Sequence, residues 1–171
     1  MKPLYIGLVI GAFAIWGCTG EPDFSDVPSI EFSSITKYSN TDTFGNAQDS
    51  LVVSLKFQDG DGDLGLSPDT YPEDSTQYNE GYNYQVKTYQ QKNGTFVDIT
   101  ASFGVSNSGN FPRLRTDGKT GPIEGILSRA ILIPNAFIPE NDTLKFSILI
   151  RDRALNSSNE VETTAVVLNA N

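Results

Sequence analysis

The sequence predicts an all-β protein, an antiparallel β-sandwich of the immunoglobulin-like kind with seven to eight strands. Three observations point there. Apolar and polar residues alternate in one short segment after another, clusters of Gly, Asn, Asp and Pro separate those segments, and no window beyond the N-terminal stretch carries a helical period. Seven or eight such segments in about 145 residues suit a two-sheet sandwich. A small barrel is the alternative the same pattern permits.

The segments follow in order. "SIEFSSITKY" opens the domain at Ser29. "SLVVSLKFQ" sets Leu51, Val53, Leu55 and Phe57 on one face against Ser54, Lys56 and Gln58 on the other, the period of a half-buried strand. "YNYQVKTYQ" and "TFVDITASF" flank "KNGT", where Asn93-Gly94 suits a type I′ hairpin turn. "GILSRAILIP", "TLKFSILIRD" and "EVETTAVVL" complete the set, with Leu144, Phe146, Ile148 and Ile150 facing inward in the second of them. Two longer irregular stretches interrupt the rhythm. One runs from the end of the second strand through "SPDTYPEDSTQYNEG", the other from Ser106 to Gly125, and loops of this length are usually functional or mobile.

The N-terminus sets the expected compartment. Lys2 precedes the uncharged run "YIGLVIGAFAIW", too short for a comfortable membrane span, and "IWGC" ends at Cys18, the only cysteine. This resembles a bacterial lipobox, although Trp16 stands where a small residue is usual. It predicts a lipoprotein signal peptide over 1–17, cleavage, and lipidation of Cys18. Residues 18–28, "CTGEPDFSDVP", are small, polar and acidic and read as a flexible stalk, with Glu21, Asp23 and Asp26 spread along it. Residues 29–171 are then a single sandwich domain. One cysteine excludes an intrachain disulfide, so the fold rests on its core.

Charge and composition exclude several functions. The chain has 12 basic and 21 acidic residues, a formal charge of −9, and losing residues 1–17 removes one lysine and no acid. Such a surface disfavours nucleic acid and anionic lipid. There is no histidine, which excludes Ser-His-Asp and Cys-His catalysis and histidine metal sites. Paired carboxylates acting on glycosides remain conceivable, but no motif singles out a pair. The expectation is a protein that is not an enzyme.

The most informative stretch is "LKFQDGDGDLGLSPDTYPED", Leu55 to Asp74. Asp59, Asp61 and Asp63 alternate with glycines, so a tight loop can turn all three carboxylates toward one centre, where they repel unless a cation neutralises them. Hard oxygen donors of this kind prefer Ca2+. The spacing departs from an EF-hand, because Leu64 holds the sixth position and Thr70 the twelfth, and strands flank the loop. Three aspartates rarely supply the six to eight oxygens calcium takes. Asp152 follows the strand ending at Ile150 as Asp59 follows the strand ending near Phe57. In an immunoglobulin-like order these are strands F and B, whose following loops share a pole. Asp152 and Asn156 are therefore the expected second source, with Asp69, Asp74 and loop carbonyls as further candidates. The simpler reading is that Asp-Gly pairs are turn residues.

Three ordered motifs carry a resemblance: "FQDGDGDLGL", "FPRLRTDGKTGPIEG" and "DTLKFSILIRDRALNSSNEVET". Together they resemble a set of Bacteroidota lipoproteins with a DGDGD loop and an immunoglobulin-like β domain. The resemblance implies an envelope-anchored domain at the outer membrane, on either its periplasmic or its surface face, and implies no activity. In that phylum "DSL" at Ser50 and "DTL" at Thr143 look like O-glycosylation sites, although each stands just before a strand, where a polar turn residue is the simpler reading. The function expected is a lipid-anchored, non-catalytic binding or interaction module with a structural calcium loop. It is tethered to the membrane by its lipid, with a protein or glycan as ligand. Candidate contacts are the tyrosines Tyr71, Tyr78, Tyr82, Tyr84 and Tyr89 and the basic Arg113, Arg115 and Lys119. The alternative is a purely structural envelope component.

Overall fold

The computed structural model describes residues 20–41, 43–134, 139 and 141–168. The predicted signal peptide and Cys18 lie outside the described residues. The chain folds as an all-β sandwich of two antiparallel sheets. Strands β1 (Ser29–Thr41), β2 (Ala47–Asp59) and β5 (Ile123–Pro134) form one sheet in the order β1-β2-β5. The other runs β4-β3-β6-β7, from β3 (Tyr84–Lys92), β4 (Thr95–Asp98), β6 (Thr143–Ile150) and β7 (Val161–Glu162), and β8 (Val166–Val167) also pairs with β6. These are the A-B-E and C′-C-F-G orders of an immunoglobulin-like sandwich, with β2 as B and β6 as F.

Period-two patterning places the core. From β2, Leu51, Val53 and Leu55 are fully buried, and from β6 so are Leu144, Phe146, Ile148 and Ile150. Tyr84 and Val86 of β3 and Leu127, Ile131 and Ile133 of β5 fill the space between them. Each strand hides one face, so a slip of one residue would expose the whole set.

Three local features modify the simple pattern. A bulge between Phe32 and Ser34 shifts the β1–β2 register, so that Ile30 and Phe32 pack inward before it and Ile35 after it. The segment expected as one strand from Thr95 to Phe103 stops at Asp98. The Asp98 carboxylate accepts the Thr100 amide at 2.8 Å, and the chain turns inward to bury Ile99 and Phe103. The last expected strand is broken into β7 and β8 where the Thr163 hydroxyl accepts the Phe146 amide at 3.1 Å.

The hairpin forms as expected, with Asn93 and Gly94 both at positive φ, 52° and 80°. The absence of helix is corrected in one place: the long loop after β2 holds a 3-10 turn over Pro72–Asp74 running into a short helix, α1 (Ser75–Asn79). Five residues are too few to show a helical period in sequence. Among the described residues no helix is long and apolar enough to cross a membrane. Ser50 lies inside β2 and is nearly buried, so it is a strand residue and not the polar turn residue expected before the strand.

The motif "NSSN" ties the two sheets together. The Asn159 side chain accepts the Ile30 amide at 2.9 Å and donates to the Ile30 carbonyl at 2.8 Å. Asn159 lies between β6 and β7, so this pair fixes the start of β1 against the opposite sheet.

Candidate metal centre

β2 and β6 end at the same pole, so the loops leaving them meet. Leu64 and Asp152 form an isolated antiparallel bridge between the two loops. Asp59, Asp63 and Asp152 each place a carboxylate oxygen within 4.8 Å of the others. Asp59 is fully buried and Asp152 nearly so.

Backbone amides orient the carboxylates. The Asp63 amide donates to Asp59 Oδ2 at 3.0 Å and to Asp61 Oδ1 at 3.3 Å, which curls the DGDGD stretch onto itself. Asp63 Oδ2 accepts the Ala154 amide at 3.0 Å, a second link to the loop after β6. Asn156 grips Asp152 from both sides, its amide on Oδ1 at 2.7 Å and its Nδ2 on Oδ2 at 2.8 Å. Two carboxylate oxygens of this cluster, Asp59 Oδ1 and Asp63 Oδ1, are buried with no hydrogen-bond partner among the described residues. An unpaired buried carboxylate oxygen is costly, and most such groups in folded proteins have a partner.

The electrostatics are those of crowded acids. Burial pushes the Asp59 pKa up to about 7, and the charges of Asp61, Asp63 and Asp152 add to the rise. Burial pushes Asp63 up to about 6, with Asp152 and Asp61 contributing and Arg153 opposing. Burial also raises Asp152, against the bonds from Asn156. Without a counterion this protein holds several carboxylates in a place that disfavours their charge.

The donor set fits a calcium ion. Calcium binds oxygens at 2.3–2.6 Å, so two ligands of one ion stand at most about 5.2 Å apart. The 4.8 Å spread of the three carboxylates lies within that reach. The free lone pairs of Asp59 Oδ1 and Asp63 Oδ1 are available to an ion, and bidentate carboxylates with water would complete the shell.

The surrounding loop, which ends at Pro122 where β5 begins rather than at Gly125, supports the site without adding carboxylates. The Gly121 amide donates to the Asp61 carbonyl at 3.0 Å, and the Leu114 amide to the Leu64 carbonyl at 3.0 Å. Gly62 and Gly65 have φ of 75° and 91°, and a Cβ at either would overlap a carbonyl of this loop, at Gly121 and Pro112 respectively. Arg153 donates to the Gly65 carbonyl at 3.1 Å. Its role was not legible, since "RDRALN" places an arginine on each side of Asp152 and does not signal which reaches Gly65.

Other expected residues go elsewhere. Asp74 does not reach the acidic cluster: its buried carboxylate takes the Arg113 guanidinium, at 2.8 Å from Nε and 2.5 Å from Nη2, and the Ser67 amide at 2.7 Å. Burial alone would raise its pKa, but Arg113 and that amide hold it below the usual range. Asp69 is exposed. The basic trio does not form a patch, because Arg113 is half-buried between Asp74 and the Tyr71 ring and Arg115 donates to the carbonyls of Gly121 and Pro122. The tyrosines also separate. Tyr84 is core, Tyr89 lies under Lys145, and only Tyr78 and Tyr82 of the five are exposed.

A groove of about 330 Å³ sits on the outer face of β3 and β6 beside Tyr82. A larger one, about 530 Å³, lies between the two long loops, lined by Leu66, Pro68, Asp69, Tyr78, Asn110 and Pro112 among others. No protein-family description matches this chain, and no curated protein matches it.

Proposed function

We propose that this chain is a lipid-anchored cell-envelope protein whose β-sandwich is a non-catalytic binding or interaction module, with one pole fixed by a structural calcium ion. The observation that carries the calcium reading is the convergence of Asp59, Asp63 and Asp152 with two buried carboxylate oxygens left unpartnered. The ion's role is structural because the fully buried Asp59 offers no approach to a substrate. A glycosidase needs two carboxylates that touch the sugar.

The lipid anchor and the outer-membrane location rest on the sequence, on "IWGC" and the resemblance of the three motifs. Binding rather than scaffolding is favoured by the groove between the long loops, where the exposed ring of Tyr78 stands beside the polar Ser67, Thr70 and Asn110. An aromatic face with neighbouring polar groups suits a glycan or a protein surface.

The deciding experiment is a thermal melt with millimolar calcium and then with chelator. Saturation at a hundred times Kd adds about 2.7 kcal/mol, which for a domain of this size is a rise of roughly 5–10 °C in Tm. The rise should vanish when Asp59, Asp61 and Asp63 are all changed to Asn. An unchanged Tm, with no calcium retained on purification, would remove the metal from this proposal and leave the acidic loop as a turn.

A further inference from the structure

The N-terminal segment touches the acidic loop, and the contact is built. The Gly60 amide, between Asp59 and Asp61, donates to the Ser25 carbonyl at 2.8 Å. A Cβ at Gly60 would overlap the Phe24 carbonyl oxygen and stand 2.9 Å from the Asp26 carboxylate. Phe24 is half-buried and Pro28 buried. The end of the predicted stalk therefore lies along the metal loop, and it could not do so over any residue larger than glycine.

Like charges oppose that docking. The segment brings Asp26 beside Gly60 and Glu21 beside Gly121, toward a loop that already holds Asp59, Asp61 and Asp63. The Glu21 carboxylate lies beside Gly121, whose amide holds Asp61. Arg115 is the fixed positive charge nearby, and its guanidinium is bonded to the Gly121 and Pro122 carbonyls. A divalent cation in the cluster would offset the repulsion and also fix the Gly60 amide in place.

We infer that calcium at Asp59, Asp63 and Asp152 clamps residues 24–26 onto Gly60, and that its loss releases them. The inference rests on the calcium reading above. The consequence is mechanical. With the ion bound, residues 24–26 are held against the domain, which shortens the tether to the proposed lipid anchor. Without it, residues 20–28 become a free tether, spanning on the order of 15–20 Å as a flexible coil.

Hydrogen exchange on the full chain in detergent, with calcium and then with chelator, tests the clamp, with calcium uptake measured separately by calorimetry. Calcium should slow exchange of the Gly60 amide and of the amides in 20–28 by about tenfold or more. Gly60→Ala should take up calcium more weakly, because clamp and ion stabilise each other reciprocally, and at saturating calcium should still show fast exchange over 20–28. Calcium uptake by the native chain with unchanged exchange at Gly60 and 20–28 would overturn the clamp and leave the metal site standing. Calcium-dependent protection of 20–28 persisting in Gly60→Ala would also overturn it, because the contact would not be the link. No calcium uptake at all would overturn both readings together.

Discussion

Leu64 and Asp152 face each other across a single antiparallel bridge, 88 positions apart in the chain, with Leu64 wholly buried and Asp152 nearly so. This one backbone link brings the loop after β2 and the loop after β6 into register. It sets Asp152 against Asp59 and Asp63, and the chemistry of the whole pole depends on it.

Asp59→Asn should separate stability from metal binding. The substitution keeps the shape and removes a charge that burial and its neighbours disfavour. In chelator at pH 8 the variant should be more stable than the native chain by about 1–3 kcal/mol. In calcium it should show little or no rise in Tm. Paired melts measure both effects.

The pH dependence of the metal-free protein follows from the same carboxylates. Asp59 and Asp63 titrate near 7 and 6 when folded, above the ordinary aspartate value of 3.8. The folded state therefore holds protons more tightly than the unfolded state. Stability from these groups is full below about pH 4 and is lost as pH rises through 6 and 7. Urea midpoints in chelator should fall between pH 5 and pH 8. In calcium the fall should flatten or reverse, because the ion replaces the protons.

Asp74→Ala should act on the fold and leave the metal site intact. The change strands the Arg113 guanidinium, which has its Asp74 partner 1 % exposed in the side chain and is itself 14 % exposed. Breaking a buried pair costs about 3–5 kcal/mol, reduced here because Glu73 also reaches Arg113 at 2.8 Å. The urea midpoint should drop, while the increment in Tm produced by calcium stays the same as in the native chain. A lost calcium increment would place Asp74 in the metal site after all.

Two glycines at positive φ should respond differently to alanine. At Gly45, φ 87°, an added Cβ would meet nothing within 4 Å, so Gly45→Ala should cost only the left-handed backbone, about 1–2 kcal/mol. Gly65, at φ 91°, would drive its Cβ into the Pro112 carbonyl. Gly65→Ala should cost well over about 2 kcal/mol and weaken calcium uptake, because Gly65 sits two residues after Asp63. Denaturation midpoints of the two variants give the comparison directly.

The strands were legible from sequence because each depends on a local period. Leu51, Val53 and Leu55 alternate with polar neighbours whatever the rest of the chain does, and "KNGT" closes its hairpin with residues that suit positive φ. The spacing of Asp59, Asp61 and Asp63 was legible for the same reason. The break between β7 and β8 and the bulge after Phe32 were not. Each depends on a partner strand, and Thr163 interrupts its ladder only because the Phe146 amide is opposite.

By itself the sequence determined the sheet-forming segments, the acidic loop and the excess of negative charge, all properties of neighbours along the chain. Sequence named Asp152 first among several candidate partners of that loop, and tertiary structure decided which of them share its centre. Asp152 was drawn to Asp59 and Asp63 by the pairing of loops from opposite sheets. Asp74, far nearer in sequence, went to Arg113, since a buried carboxylate settles where a cation and an amide satisfy it. Ser25 met Gly60 because that backbone alone left room for it. Composition fixes how many charges a chain carries, whereas the long-range course of the backbone fixes which of them must be neutralised together.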